Sequence, residues 1–287
     1  MISIVGIGNA ASSIAEKFKE QKNYNVFLLN SGVKRNSKYN HKLTAFENPE
    51  DYEKNIPDLR KFFKDLDDVV QVFIVGSSFS SNYALGILEQ IEGKQVQVFY
   101  VKPDIELLTG TPRLVENVVF GVLQEYARCG LLDSITFISN LEMENMLSSI
   151  SIKNYYESLN QTIFSTVHYL NFFTYTEPEI GQIVKPLEIN RIRSIGALNM
   201  ENLEEKWLFS LDSPRDMCYY LCINEEKLEK ETGLHKKIVN MLKEKPHNIF
   251  RRISYGIYET HLQDFGFCVA HTNAIQQQNT LDKLDQR

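Results

Sequence analysis

Cysteine is scarce in this chain. Cys129, Cys218, Cys222 and Cys268 are four in 287 residues. They are too few and too scattered to staple a chain of this length, so a disulfide scaffold is excluded. The spacing Cys218-x-x-x-Cys222 suggests half of a metal site, but zinc needs four ligands close together. The stretch Asp216-Met-Cys-Tyr-Tyr-Leu-Cys-Ile223 reads instead as an apolar strand with buried thiols. Long apolar runs are missing too. None nears the roughly 20 residues of a membrane span, so no membrane partner is expected. Positive charge is in deficit. With 31 Lys and Arg against 37 Asp and Glu, the net charge of -6 gives no electrostatic footing for nucleic acid as a direct partner. The first strand begins at Met1 and leaves no room for a signal peptide, so the expected location is cytoplasmic. No internal repeat is present. The composition that remains is ordinary for a globular protein, at a length that can bury a large core and hold two domains.

The first thirty residues carry the most information. An apolar run, Ile2 to Val5, leads into a glycine turn at Gly6 and Gly8. Helical spacing follows, with Ile14, Ala15 and Phe18 on one face, and a second apolar run, Val26 to Leu29, ends at Asn30. Strand, glycine loop, helix, strand is how a doubly wound sheet begins a nucleotide site. Free N–H groups at a helix N-terminus attract phosphate, and glycine lets it approach.

The same grammar continues. Asn48-Pro-Glu-Asp is a helix start, and that helix is expected to run through Leu59, Phe62 and Phe63. Val69 to Val75 reads as a buried strand ending at Gly76, and Ser77 to Ser81 as a loop. Asn82 to Glu92 reads as a helix stopped by Gly93. Gln95 to Val101 is a strand, Pro112 to Cys129 a helix stopped by Gly130, and Ile135 to Ser139 a strand. Such alternation predicts a parallel sheet with helices on both faces. Ile152 to Phe173 then reads as one long helix. Beyond it come strands at 191–200, 217–223, 248–259 and 266–272 and a helix at 234–245, a smaller α+β block. His168, among apolar neighbours, reads as a satisfied core histidine.

Taken in order, several motifs resemble the tubulin/FtsZ family over about residues 1–273. Gly6, Gly8, Asn9 and Ala10 match its first phosphate loop. Asn48-Pro-Glu50 is similar to the FtsZ segment that wraps the γ-phosphate. The family signature Gly-Gly-Gly-Thr-Gly-(Ser/Thr)-Gly has its counterpart in Gly76-Ser-Ser-Phe-Ser-Ser-Asn82, where Gly76 alone is retained. Val101-Lys-Pro103 resembles the Thr-Lys-Pro after the next strand, and Ile135 to Asn140 the strand ending in Ile-Pro-Asn. Tyr155 to Asn160 resembles the start of the central helix, where Asn or Asp pairs with guanine. Ile253 to Glu259 and Phe267 to Thr272 resemble the two last strands of FtsZ.

The resemblance implies an α/β fold: a Rossmann-like GTPase-type domain (1–150), a long central helix (151–175), a smaller α+β domain (176–275) and a frayed tail (276–287). It implies a GTP/GDP site, with Mg2+ as companion, and no other cofactor. That site would be built from Gly6, Gly8, Asn9, Ala10, Asn48, Gly76, Ser77, Ser78, Ser80, Ser81, Lys102, Asn140 and Asn160. No catalytic residue and no protein ligand to a metal is assigned. It also implies head-to-tail self-association, with GTP between subunits.

Two departures shape the chemistry. The family's water-activating loop, Asn-x-Asp-x-x-Asp/Glu, is replaced by Gly181-Gln-Ile-Val-Lys-Pro-Leu-Glu188, so slow or absent hydrolysis is expected; a placed base contributes about 10²–10⁴-fold. The signature glycines are replaced by serines, and a non-glycine residue at positive φ costs about 1–2 kcal/mol. Either the loop is reshaped, with Phe79 filling phosphate space, or serine hydroxyls still hold an anion. Three readings follow. The first is a divergent cytoskeletal protein that forms filaments and binds GTP weakly or not at all, of the kind that phages and plasmids use to position DNA. The second is a non-polymerising family member acting as a binding or regulatory protein. The third is an NAD(P)-dependent oxidoreductase, for which Asn30 stands where an acidic residue is expected.

Overall fold

The computed structural model describes residues 1–147, 151–246 and 251–277. The chain runs β1 (Ile2–Ile7), α1 (Asn9–Glu16), β2 (Tyr24–Asn30), β3 (Asn40–Lys42), α2 (Pro49–Lys54), β4 (Val69–Val75), α3 (Ala84–Leu88) and β5 (Gln95–Lys102). It continues with α4 (Thr111–Arg128), β6 (Ser134–Ser139), α5 (Asn140–Leu147) and α6 (Tyr155–Thr174). The remainder is β7 (Ile180–Gln182), β8 (Ile192–Leu198), β9 (Glu205–Trp207), β10 (Asp216–Asn224), α7 (Glu225–Lys230), α8 (Leu234–Glu244), β11 (Arg252–Thr260) and β12 (Phe265–Thr272).

The first six strands are parallel, in the order β3-β2-β1-β4-β5-β6. Apart from the short edge strand β3, their centres are buried on both faces, which explains their mainly apolar sequences. One face packs against α2, α3 and α4 through Tyr52, Ile87, Phe120 and Leu123. The other packs against α1 and α6 through Ile14, Phe18, Leu159, Ile163 and Val167. The last three sit one helical turn apart and form a single stripe along α6.

The smaller block does not stand apart as a separate sheet. β8 pairs in parallel with β6 through Ile135–Ile192, Thr136–Arg193 and Phe137–Ser194. The order then runs on through β12, β10, β11 and β7. Helix α6 crosses this junction on one face, packed in the same apolar cluster as Ile195, Leu208 and Val269. One sheet and one spine therefore hold both blocks together.

Some expected elements change length. The helix opened by Asn48 stops at Lys54, because Pro57 has no N–H to continue it and holds Ile56 out of helical geometry. Phe62 and Phe63 fall in a separate 3-10 turn, Phe62–Asp65. The helix expected from Asn82 begins as a 3-10 turn, Phe79–Tyr83, and α3 proper ends at Leu88. The tail expected to fray from residue 276 starts with a pinned residue. Gln276 is buried, its N–H donates to Gln124 Oε1 (2.7 Å), and its Oε1 accepts from Asp212 N–H (2.6 Å). The expectations for 278–287, and for a strand starting at 248–250, lie outside the described residues. Cys218 and Cys222 are buried in β10. His168 is satisfied by Tyr24, at 2.8 Å from Nδ1 to Oη. Among the described residues no helix is long and apolar enough to cross a membrane.

Parallel strands give the sheet two distinct edges. At the carboxyl edge β1, β4, β5 and β6 all end. Helix α6 starts at that edge, where Tyr155 Oη donates to Glu144 of α5. It descends to the amino edge, where Asn171 exchanges hydrogen bonds with Gln71 of β4 (2.7 and 2.9 Å).

Candidate functional site

The carboxyl edge collects most of the residues singled out in the sequence. Gly6 and Gly8 close β1, Gly76 and Ser77 follow β4, Lys102 ends β5, and Asn140 follows β6. These strands are neighbours in the sheet, so the loops stand side by side. Ligands of doubly wound sheets sit in this crevice beyond the strand ends.

Gly8 caps α1 at φ +95°, a conformation that side chains disfavour, and its N–H is held by Leu29 C=O at 2.7 Å. Asn9 and Ala10 follow, exposed on the first turn of α1. Asn9 and Ser31 hydrogen-bond each other (3.2 and 3.3 Å). Asn30 donates to Ser12 Oγ at 2.7 Å, so it faces α1 from the end of β2. Asn48 stands at the N-cap position of α2 without a side-chain capping bond, and its Nδ2 donates to Asp51 Oδ2 (3.2 Å). Tyr52 of α2 stacks edge-on with Tyr83, 4.8 Å between ring centroids, which sets α2 beside the serine loop. Asn160 is half-buried on the second turn of α6.

The serine loop is organised from below. Glu116 is completely buried, on the face of α4 that also carries Val119, Phe120, Leu123 and Ala127. Its Oε2 accepts from the Ser77 N–H (3.0 Å) and the Tyr100 hydroxyl (2.7 Å). Its Oε1 is buried with no hydrogen-bond partner. A side chain at Gly76 would collide with this carboxylate and with Tyr100 Oη, which is why glycine is required there. Ser77 adopts φ +53°, the one described serine-loop residue in the left-handed region, and its N–H bond to Glu116 offsets that cost. Ser78 Oγ donates to Val75 C=O (2.8 Å) and Ser81 Oγ to Ser78 C=O (2.6 Å). The Phe79 and Ser80 side chains, and with them the idea that Phe79 fills phosphate space, lie outside the described set.

Lys102 turns inward. It is buried, with Nζ 4.7 Å from the Phe120 ring centroid and 5.8 Å from that of Phe209. Burial lowers its pKa, and the Glu116 charge opposes that. Burial likewise raises the Glu116 carboxyl above its ordinary range, against the hydrogen bond from Tyr100, the Lys102 charge and the Ser77 N–H. Tyr100 is pushed up by burial and by Glu116. Chemically, a resident carboxylate already holds the Ser77 backbone donor of this loop. Glu116 was legible in principle: its spacing to Val119, Phe120 and Leu123 places it on the buried face of a strongly amphipathic helix.

No protein-family model and no curated protein matches the sequence. Solved structures do match it. A GTPγS-form protofilament of TubZ from Bacillus thuringiensis serovar israelensis superposes with a TM-score of 0.71 at 13% identity, covering 96% of this chain and 87% of that one. An FtsZ dimer from M. jannaschii gives 0.68 at 13%, covering 94% and 87%. CetZ from Methanosaeta thermophila gives 0.65 at 11%, covering 99% and 89%. The chain has the tubulin/FtsZ fold. The likeness extends through both blocks and the spine.

Proposed function

We propose that this protein assembles head to tail into filaments, the carboxyl edge of one copy meeting the amino edge of the next. The carrying observation is where exposed apolar side chains lie. Leu107, Leu114, Leu141, Ile152 and Tyr156 gather around the carboxyl edge, with Ile152 95% and Tyr156 74% exposed. Phe172, Tyr175, Val184, Leu187 and Ile189 lie at the other end, after α6 and before β8. Concentrated exposed apolar surface marks interaction sites. Two unlike patches at opposite ends make a heterologous contact, which propagates instead of closing. The TubZ neighbours include protofilament and filament structures, which supports this reading.

In this proposal GTP is bound weakly or not at all. Ser77 N–H is committed to Glu116, and the Ser78 and Ser81 hydroxyls donate to backbone carbonyls. Hydrolysis is slow or absent, since the segment at 181–188 carries Glu188 as its one acid and the nearby Asp216 is held by Arg252, Asn190 and Leu187 N–H. The division 1–150, 151–175 and 176–275 then reads as loop-bearing domain, spine and second contact surface.

Sedimentation tests the proposal. The wild-type chain pellets at high concentration with little dependence on GTP. Tyr156→Lys blocks one end and Leu187→Lys the other, so each variant stays in the supernatant and caps wild-type filaments when added in small amounts. A chain that remains monomeric with and without GTP overturns the reading in favour of a non-polymerising regulator. Pelleting untouched by both substitutions overturns the end-to-end contact.

A further inference from the structure

The amino edge holds a feature that the filament reading does not use. A cavity of about 230 Å³ lies between the starts of β4 and β5, the last turn of α6, Pro186, and strands β8, β10 and β12. Arg193 and His271 stand on its wall. Arg193 Nε donates to Thr136 Oγ1 at 2.9 Å, and the guanidinium lies 5.8 Å from the Phe99 ring centroid. Among the described residues no carboxylate is within ion-pair distance of it. Asp133, whose field reaches Arg193, accepts from Gln97 instead. Asp216, further along the same edge, is taken by Arg252, Asn190 and Leu187 N–H.

Guanidinium has five donors and stays charged. Enclosed cations are ordinarily paired, because desolvation is expensive. Here one donor is used, and the rest of the fork borders open space. His271 beside it is buried, and its pKa is lowered to about 3 by burial and by the Arg193 charge. It is therefore a neutral imidazole that adds a hydrogen-bonding group without adding charge. The remaining wall is divided in kind. Gln97 and Asn171 bring amides, while Phe99, Ile195 and Val269 bring apolar surface.

We propose that this cavity binds a small organic monocarboxylate, its carboxylate forked by Arg193 and its apolar body laid against Phe99 and Ile195. One unpaired cation matches one negative charge, which favours a carboxylate over a dianionic phosphate. The planar fork fits two carboxylate oxygens at once. Half of the wall would be wasted on a bare inorganic ion. The site lies away from the serine loop and from the carboxyl-edge patch, while Tyr175 and Pro186 of its wall border the amino-edge patch of the proposed filament contact.

Calorimetric titration of the full-length chain at pH 7 tests this with three probes: benzoate, benzyl alcohol and inorganic phosphate. Benzoate should bind saturably, and benzyl alcohol, its uncharged counterpart, at least about tenfold more weakly, as loss of a charge-assisted hydrogen bond requires. Inorganic phosphate should also bind more weakly than benzoate. Arg193→Gln should weaken benzoate by about tenfold or more, and Arg193→Lys should fall between, since it keeps the charge and loses the fork. Absence of saturable benzoate binding overturns the proposal. So does benzyl alcohol or phosphate binding as well as benzoate, or an Arg193→Gln variant that binds benzoate unchanged. Should Arg193→Gln fail to fold by circular dichroism, the three wild-type titrations decide alone.

Discussion

The two edges of the parallel sheet treat charge drawn into the fold in opposite ways. At the carboxyl edge a buried anion, Glu116, is met from three sides, by Tyr100, by Ser77 N–H and by the field of Lys102. At the amino edge a cation, Arg193, has one hydroxyl partner and an open cavity before it. The expected place for a ligand is the carboxyl edge. In this chain that edge supplies its own anion, and the edge left wanting a counter-ion is the other one. Fold position alone therefore does not locate the vacancy; partner accounting does.

That contrast can be broken by substitution. Glu116→Ala should cost the most, about 3–5 kcal/mol, because it strands the groups gathered around a buried charge. Urea unfolding with a shifted midpoint and unchanged slope checks this. Arg193→Met should do the reverse and stabilise by about 1 kcal/mol or be neutral, since an apolar side chain carries no unpaired charge; a thermal melt reads the sign. If both substitutions destabilise equally, the distinction between the edges fails.

The smallest effect lies in pH dependence. The folded Glu116 pKa is raised above its ordinary value of 4.5, chiefly by burial. The native state thus holds this proton at a pH where the unfolded chain has lost it. Its contribution is complete below the unfolded pKa and is lost as pH rises through the folded one. Subtracting the Glu116→Gln stability curve from the wild-type curve between pH 4 and 8 should leave a difference that falls with pH. A flat difference would mean that the carboxyl is not held up by its surroundings.

How far the sequence was legible varies with the range of the interaction. Val69–Val75, Gln95–Lys102 and Ser134–Ser139 were readable because double burial writes a mainly apolar stretch, broken only by single polar residues such as Gln71, Gln97 and Thr136. Gly130, at positive φ, marked the end of α4, whereas α3 stops at Leu88, short of Gly93. The three-residue strands β3, β7 and β9 were not readable, being too short for any period to emerge. Nor was the β6–β8 seam, since pairing between Ile135 and Ile192 leaves no local mark on either segment. In the candidate site the gathering of Gly8, Ser77, Lys102 and Asn140 at one edge followed from strand direction. That Lys102 points under the loop did not, because it depends on the rings of Phe120 and Phe209 arriving from elsewhere. Arg193 went unnoticed because a polar residue in a strand looks the same whether it faces bulk water or a cavity.

The sheet begins at β3 and finishes at β7, each only three residues long. A terminal strand offers its spare N–H and C=O groups to any passing chain, and one this brief presents too little backbone to recruit a neighbour. In the proposed filament, such edges would guard growth along one axis against thickening into a mat, and bundles would have to be held by side chains.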